Sequence, residues 1–307
     1  TQKTMRIAQQ LYEGIDIKGN GTVGVISYLR TDSTRVSEEA SKSAADYIRE
    51  NYGESFLSDG TNIKKDDRKI QDAHEAIRPT DITRTPAVLK DSLQHDQYRL
   101  YQLIWKRFTA SQMAPAVYDT TSVKISASGR YIFTVSASKI KSEGFMSVYT
   151  NEEDEAADDN VLLTDVTKES RLSLDTIEEK QLFTQPPAHY TEASLVKTLE
   201  ELGIGRPSTY APTITTILAR RYVTKEAKNL FVTEMGEAVN NIMKDAFPSI
   251  VDVKFTATLE SLLDGVEDGN VKWKTIIENF YPDLHAAVEN AEKEIEQVKI
   301  ADEETDE

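Results

Sequence analysis

The chain has 307 residues, of which 39% are hydrophobic and 29% are charged, a composition typical of globular proteins with two or three domains. It contains no cysteine, which excludes thiolate zinc clusters and thiol nucleophiles. The sequence has no run of about 18 apolar residues that could span a bilayer, and it does not open on a secretory signal pattern. We therefore expect a cytoplasmic protein without a membrane role.

The formal net charge of −16 at first argues against nucleic-acid binding, because proteins that bind phosphate backbones usually have a basic surface. The acids are unevenly distributed, however. Residues 152–159 hold six acids and no bases, and residues 283–307 hold ten acids and two lysines. Such runs are typical of solvated loops or tails, so the overall charge decides little about function.

Three helices and one strand are predicted in the first 113 residues. Apolar residues at helical spacing predict helices at 3–13 and 96–113. Ser37 and Gly53 mark the beginning and the end of a helix between them. The short β-branched run 23–29 follows a Gly-Asn-Gly turn signal and predicts a strand with polar residues crowded at its end.

The middle of the chain changes to a period of two. Residues 120–126 and 131–137 predict two strands joined by a tight turn, and residues 145–150 predict a third. Pro186 and Pro187 then mark a boundary, after which helical spacing returns. We therefore predict an α+β, multidomain fold with mainly helical domains and a β-rich hinge section.

A helix-turn-helix pattern follows this boundary. Residues 191–202 and 207–220 predict two helices joined by a glycine-rich turn. Two short β segments at 222–224 and 230–233 follow, in the order of a winged helix. Winged helices bind DNA in some proteins and serve as protein-interaction folds in others, so both alternatives stay open from this pattern.

Tyr28 stands at the end of the predicted strand, with Arg30 two residues on and Asp32 four residues on. Side chains two apart on a strand share a face. A tyrosine hydroxyl has a pKa of about 10, so its use as a nucleophile requires a base or a nearby cation. Arg30 could supply that charge or hold a phosphate oxygen. The alternative is a surface tyrosine beside an ordinary ion pair.

Two further polar strings could contact phosphate. His74 begins a string that resembles a zinc-protease helix, but Arg78 stands where the second histidine is required, so we reject a zinc site. His74 could donate a hydrogen bond to phosphate or be a structural histidine. Arg206, Ser208 and Thr209 are placed at the beginning of the second predicted helix, where unpaired N–H groups suit a phosphate, although helix capping explains the two hydroxyls nearly as well.

Taken as motifs, these strings resemble the bacterial type IA DNA topoisomerases. Residues 26–35, ISYLRTDSTR, are similar to the active-site motif of that family, in which the tyrosine is the nucleophile. Residues 73–80, AHEAIRPT, resemble its histidine motif. A third block is matched by residues 190–197, YTEASLVK, and residues 203–211, GIGRPSTYA. The motifs occur in the family's order.

The resemblance implies that Tyr28 attacks a phosphodiester of single-stranded DNA and becomes linked to the 5′ phosphate. Arg30 would then hold the scissile phosphate, with Asp32 and His74 supporting the network. The residues that match family positions along the bound strand or its groove are Arg206, Ser208, Thr209, Arg220, Gln9, Tyr12 and Glu13. Strand passage and religation would relax negatively supercoiled DNA without ATP.

The resemblance also implies a longer protein. The family's metal-binding toprim domain, whose carboxylates hold Mg²⁺, has no counterpart here, nor do its cysteine-rich zinc modules, so we expect no metal ligands in this chain. The expected domains are a tyrosine-bearing gate domain at 1–117, an incomplete β-rich hinge at 118–186, a helical winged-helix-like groove domain at 187–295 and an acidic tail at 296–307. A cytoplasmic, nucleoid-associated location is implied.

Three other interpretations of the sequence were weighed against this one. The isolated chain could be a single-stranded DNA-binding module without catalysis, or a protein-interaction module with neither activity, as the acidic charge would suit. A tyrosine recombinase would also use a tyrosine nucleophile, but the arginine and histidine blocks of that family are not found in its arrangement. Binding of an oligonucleotide, and its dependence on Tyr28 and Arg206, separates these alternatives.

Overall fold

A computed structural model describes residues 1–58, 74–150, 167–168 and 170–294. The chain forms two compact units, one of Arg6–Thr184 and the other of Thr1–Met5 with Gln185–Glu307. Within the described residues, helices are combined with three separate two-stranded antiparallel sheets. The fold is therefore α+β, as predicted. The division into three domains and a tail stays a prediction, and the acidic stretch 152–159 and the tail 296–307 lie outside the described residues.

In the described residues of the first unit, four α-helices surround a small apolar core. They are α1 (Gln2–Glu13, which begins in the other unit), α2 (Glu38–Asn51), α3 (Pro86–Leu89) and α4 (His95–Ser111). Ser37 caps α2 as predicted, because its side chain accepts a hydrogen bond from the N–H of Ala40. The predicted stripe of α4 is also confirmed. Tyr101, Trp105 and Phe108 are buried.

Two polar groups on α4 are buried with satisfied hydrogen bonds. The Tyr101 hydroxyl donates to the Arg84 carbonyl over 2.6 Å, and the Trp105 indole N–H donates to the Ile82 carbonyl over 2.9 Å. Both acceptors lie in the segment between residue 80 and α3. The helix thereby anchors the segment that continues from His74, since an unpaired buried donor would be costly.

Residues 23–29 do not form the continuous strand that was predicted. A short hairpin of β1 (Ile15–Ile17) and β2 (Gly21–Val23) precedes it, across the predicted glycine turn. Between β2 and residue 30 the chain forms one isolated bridge, which pairs Ile26 with Pro79. The run is apolar because Val25, Ile26 and Leu29 are buried, not because it joins a sheet.

The predicted hairpin in the middle of the chain is confirmed and is longer than expected. Strands β3 (Val117–Ala127) and β4 (Tyr131–Ser142) pair antiparallel. Ser128 and Gly129 adopt positive φ angles of 55° and 65° in the turn. The third strand predicted at 145–150 was wrong. A 3₁₀ helix at Gly144–Ser147 stands there instead, because Gly144 turns the chain with φ 49°.

The second unit contains the predicted pair of helices followed by a hairpin. They are α5 (Glu192–Glu201), α6 (Tyr210–Ala219), β5 (Val223–Glu226) and β6 (Asn229–Val232). This order of elements matches the expectation, while the winged-helix assignment itself stays a prediction. Four more helices follow, α7 (Glu234–Ala246), α8 (Pro248–Val251), α9 (Val253–Glu267) and α10 (Trp273–Glu294). In the described part of the chain, every helix is too short or too polar to cross a membrane.

Candidate functional site

The ring of Tyr28 contacts two other aromatic rings in the first unit. The Tyr12 ring meets it edge-on, with centroids 5.5 Å apart and an interplanar angle of 71°. The His74 ring lies 5.2 Å away at 41°. Aromatic pairs at such separations attract each other and restrict each other's orientation. Tyr28 is 38% exposed, while its ring is in contact with two aromatic neighbours.

The end of α1 is packed directly against the segment that leads to Tyr28. The N–H of Val25 donates to the Leu11 carbonyl over 2.9 Å. A Cβ atom at Gly24 would lie 2.5 Å from the backbone oxygen of Tyr12, a distance at which the backbone would have to shift. Glycine at this position therefore permits the close approach that places Tyr12 beside Tyr28.

Ser27 joins the Tyr28 segment to the segment that carries His74. Its hydroxyl donates to the Ala76 carbonyl over 2.8 Å and accepts from the Arg78 N–H over 2.9 Å. Its own N–H donates to the Arg78 carbonyl over 2.9 Å. These bonds hold two segments that are distant in sequence in one arrangement. They explain how Tyr28 and His74 come into contact.

An ion pair stiffens the same segment. The Arg78 guanidinium contacts one carboxylate oxygen of Glu75 through Nε at 2.8 Å and Nη2 at 2.7 Å. Burial acts to raise the pKa of Glu75, but hydrogen bonds from Arg78 and Ser37 and the charges of Arg78 and Arg35 outweigh it, so the pKa is lowered. Glu75 is therefore ionised at neutral pH, and the Arg78 guanidinium is held in an ion pair with it.

Arg30 and Asp32 are both exposed, and within the described part of the chain neither makes a hydrogen bond or an ion pair. Arg30 and Tyr28 do not share a strand face as predicted, because residues 28–30 are not in a strand. Arg35 does reach the histidine segment, since its Nη2 donates to the His74 carbonyl over 3.4 Å. Arg30 is thus a cation beside Tyr28 in sequence that remains available to an anion.

The other expected groove residues of this unit lie on the last two turns of α1. Gln9 donates a hydrogen bond of 2.6 Å from its side chain to the Glu13 carboxylate, across one turn of the helix. Tyr12 lies on the same helix and is 38% exposed. Of these three residues, Tyr12 makes the aromatic contact with the ring of Tyr28.

The second candidate group lies in the other unit, in the turn between α5 and α6. The second helix was predicted to begin at residue 207, but α6 begins at Tyr210, so Arg206 and Ser208 precede it and Thr209 is its N-cap residue. The Thr209 side chain does not cap α6 and instead accepts a hydrogen bond of 2.9 Å from the Arg206 N–H. Ser208 lies in the same turn. Arg220 is exposed and follows the last residue of α6.

Two acids on α9 that the sequence interpretation missed contact Arg206. Its Nη2 lies 2.8 Å from Oδ2 of Asp264, and its Nη1 lies 3.6 Å from Oε2 of Glu260. Burial acts to lower the pKa of Arg206, but the hydrogen bond and charge of Asp264, then Glu260, outweigh it and raise that pKa. The only sequence signal for this pair is the spacing of four, which places two acids on one helix face.

The side chains that the structure describes do not form a metal-binding cluster. In the stretches that the structure describes, no group of three or more His, Asp or Glu side chains could hold a metal ion. Hard cations such as Mg²⁺ need several oxygen ligands, so the described residues do not fit a resident Mg²⁺.

Comparison with known proteins agrees with the motif pattern. A protein-family model described as DNA topoisomerase matches residues 1–278. Among solved structures, the full-length topoisomerase I of Thermotoga maritima matches with a TM-score of 0.76 and 36% sequence identity, over 93% of this chain and 46% of that one. The chain thus spans less than half the length of that enzyme. It belongs to the bacterial type IA DNA topoisomerase family.

Proposed function

We propose that this chain carries the strand-cleaving tyrosine and part of the DNA-binding surface of a type IA topoisomerase. The observation that carries the proposal is the exposed Tyr28 ring in contact with the rings of Tyr12 and His74. Arg30, two residues later in the chain, makes no ion pair with the described residues. Family membership supports the same role. A restrained and exposed phenol, with an exposed arginine two residues later in the chain, suits attack on a phosphodiester.

In the proposed reaction, the Tyr28 hydroxyl loses its proton and its oxygen attacks the phosphorus of single-stranded DNA. The bond from phosphorus to the 3′ oxygen breaks, and the leaving oxygen takes up a proton. Arg30 would neutralise charge on the phosphate oxygens, and His74 would hold the ring and donate to phosphate. Asp32 would support the local charge network.

Religation is the reverse reaction, in which the 3′ hydroxyl attacks the phosphotyrosine and releases Tyr28. The ester preserves the energy of the broken bond, so the cycle needs no ATP. Passage of another strand through the gap would relax negative supercoils. The domains expected at 1–117, 118–186 and 187–295 would act as gate, hinge and strand groove, in a protein of the bacterial cytoplasm. Full activity would require Mg²⁺ on a separate toprim domain.

The test mixes end-labelled single-stranded DNA with the chain and Mg²⁺, with and without an added toprim domain, and looks for a complex that survives denaturant. We expect a complex only with the added domain, and its loss in Tyr28→Phe. Tyr131→Phe is the matched control, because Tyr131 lies exposed on β4. Adduct formation that persists in Tyr28→Phe would overturn the role of Tyr28.

A second function is favoured by the turn at Arg206, namely binding of single-stranded DNA without chemistry. An arginine held beside the beginning of a helix is a common way to bind phosphate. Salt-dependent oligonucleotide binding that survives Tyr28→Phe but weakens in Arg206→Ala, with no covalent complex under any condition, would favour this function over the first.

A further inference from the structure

Arg206 is held at both its backbone and its side chain. The backbone N–H donates to the Thr209 hydroxyl over 2.9 Å, and Nη1 donates to the Gly205 carbonyl over 2.8 Å. Gly205 has a φ angle of 78°, a conformation that side-chain-bearing residues rarely adopt. The turn therefore uses a glycine to present a carbonyl to the guanidinium that follows it.

The Arg206 side chain is also held by carboxylates on α9. Asp264 accepts a hydrogen bond of 2.8 Å from Nη2, and Glu260 lies one helical turn earlier on α9, 3.6 Å from Nη1. The Glu260 side chain is 23% exposed and that of Asp264 is 48% exposed. Since charge-assisted hydrogen bonds are stronger than neutral ones, Asp264 is the principal anchor.

The anchored guanidinium still has donors to offer. Arginine has five N–H donors in a planar fork. Among the described residues, the side chain makes two hydrogen bonds, to Gly205 and Asp264, and remains 33% exposed. The remaining donors lie in a plane whose orientation is already set. A phosphate arriving at this turn would meet an arginine that loses little further freedom on binding.

We propose that Asp264, assisted by Glu260, is a positioning residue that holds the Arg206 guanidinium for a phosphate of the bound DNA strand. The inference rests on the proposed function, in which Arg206 contacts that strand. Two acids near a phosphate site would otherwise be unexpected, because they repel the ligand. Their contribution is orientation of the arginine, not attraction of DNA.

The two effects of Asp264 have opposite signs, which makes the inference testable. Repulsion between a carboxylate and a phosphate about 6 Å apart weakens binding by roughly threefold in water, and salt screens it. Fixing a flexible side chain strengthens binding by roughly twofold to tenfold. We expect orientation to prevail near 0.15 M salt, where screening reduces the repulsion.

The experiment measures fluorescence anisotropy of a labelled single-stranded oligonucleotide titrated with the whole chain at several salt concentrations. We expect Asp264→Ala to weaken binding by about threefold near 0.15 M salt, although it removes a negative charge. Glu237→Ala is the matched control, an exposed acid on α7 whose loss should leave binding unchanged or slightly tighter. In an Arg206→Ala background, Asp264→Ala should no longer weaken binding.

Circular dichroism of each variant checks folding. Asp264→Asn provides a second variant, because it keeps an acceptor oxygen and should bind between the wild type and Asp264→Ala. Equal or tighter binding by both Asp264 variants would overturn the inference and identify the acids as competitors of DNA. Failure of the wild-type chain to bind any oligonucleotide would instead overturn the proposed DNA-binding function.

Discussion

The His74 ring lies 5.2 Å from the ring of Tyr28, and the two residues belong to segments that meet only in the folded chain. If His74 holds Tyr28 and donates to phosphate, His74→Ala should slow formation of the covalent DNA complex by roughly tenfold to a hundredfold. Single-turnover cleavage of a labelled oligonucleotide, with a toprim domain added, measures this rate. Oligonucleotide affinity should change less than the rate, and an equal fall in both would contradict the assigned role.

Tyr12 should support Tyr28 through its ring and not through its hydroxyl. Tyr12→Phe keeps the edge-on ring contact, so the cleavage rate should remain within about twofold of the wild type. Tyr12→Ala removes the contact and should lower the rate by about fivefold or more. The same single-turnover assay compares the two variants. A loss of rate in Tyr12→Phe as large as that in Tyr12→Ala would show that the hydroxyl matters instead.

Ser27→Ala should loosen the connection between the two segments of the site. The change removes one donor and one acceptor, and leaves the Ala76 carbonyl and the Arg78 N–H without this partner. The expected cost is about 1–3 kcal/mol of unfolding free energy. Urea unfolding followed by Trp105 fluorescence, in a Trp273→Phe background, measures it. Ser27→Thr keeps the hydroxyl and should be closer to wild type.

Gly24→Ala should destabilise the first unit without touching any side chain of the site. The added Cβ would lie 2.5 Å from the Tyr12 backbone oxygen, so α1 or the Tyr28 segment must shift. Overpacking of this kind costs about 1–3 kcal/mol. The Trp105 unfolding assay applies here too, with Lys18→Ala as an exposed control. A Gly24→Ala protein as stable as wild type would mean that the close approach is not required.

The buried Tyr101 predicts a loss of stability at alkaline pH. Burial raises its pKa, with the charge of Asp81 adding and that of Arg84 opposing, so the folded chain holds this proton more tightly than the unfolded chain. This difference contributes unfolding free energy at pH values below about 10, the pKa of tyrosine in the unfolded chain. The contribution is lost as the pH rises above that value.

The test of Tyr101 compares unfolding free energies of wild type and Tyr101→Phe at pH 7 and above pH 10. Tyr101→Phe should cost about 1 kcal/mol at pH 7, because the Arg84 carbonyl loses its hydrogen bond. The deficit should shrink as pH rises above 10. A difference that stays constant with pH would contradict the predicted linkage, and Tyr131→Phe provides the exposed control.

Local patterns predicted those elements whose own residues determine them. The helix capped by Ser37 and the apolar stripe of α4 are confirmed, because capping and a 3.6-residue period act within one segment. The hairpin turn at Ser128 and Gly129 is confirmed for the same reason. The strand prediction at 23–29 was wrong because a short run of buried apolar residues is compatible with a strand and equally with an irregular segment packed on a core.

The sequence by itself determined the family, because its motifs are long and occur in the family's order. Through the family it identified Tyr28 as the candidate nucleophile. Only the tertiary structure brought Tyr12 and His74 to that ring and Asp264 to Arg206. The physical reason is that these contacts depend on a glycine that permits close approach, a serine that joins two segments and a helix that packs on a turn. Each of these depends on chain segments far apart in sequence, so no local period or spacing could reveal them.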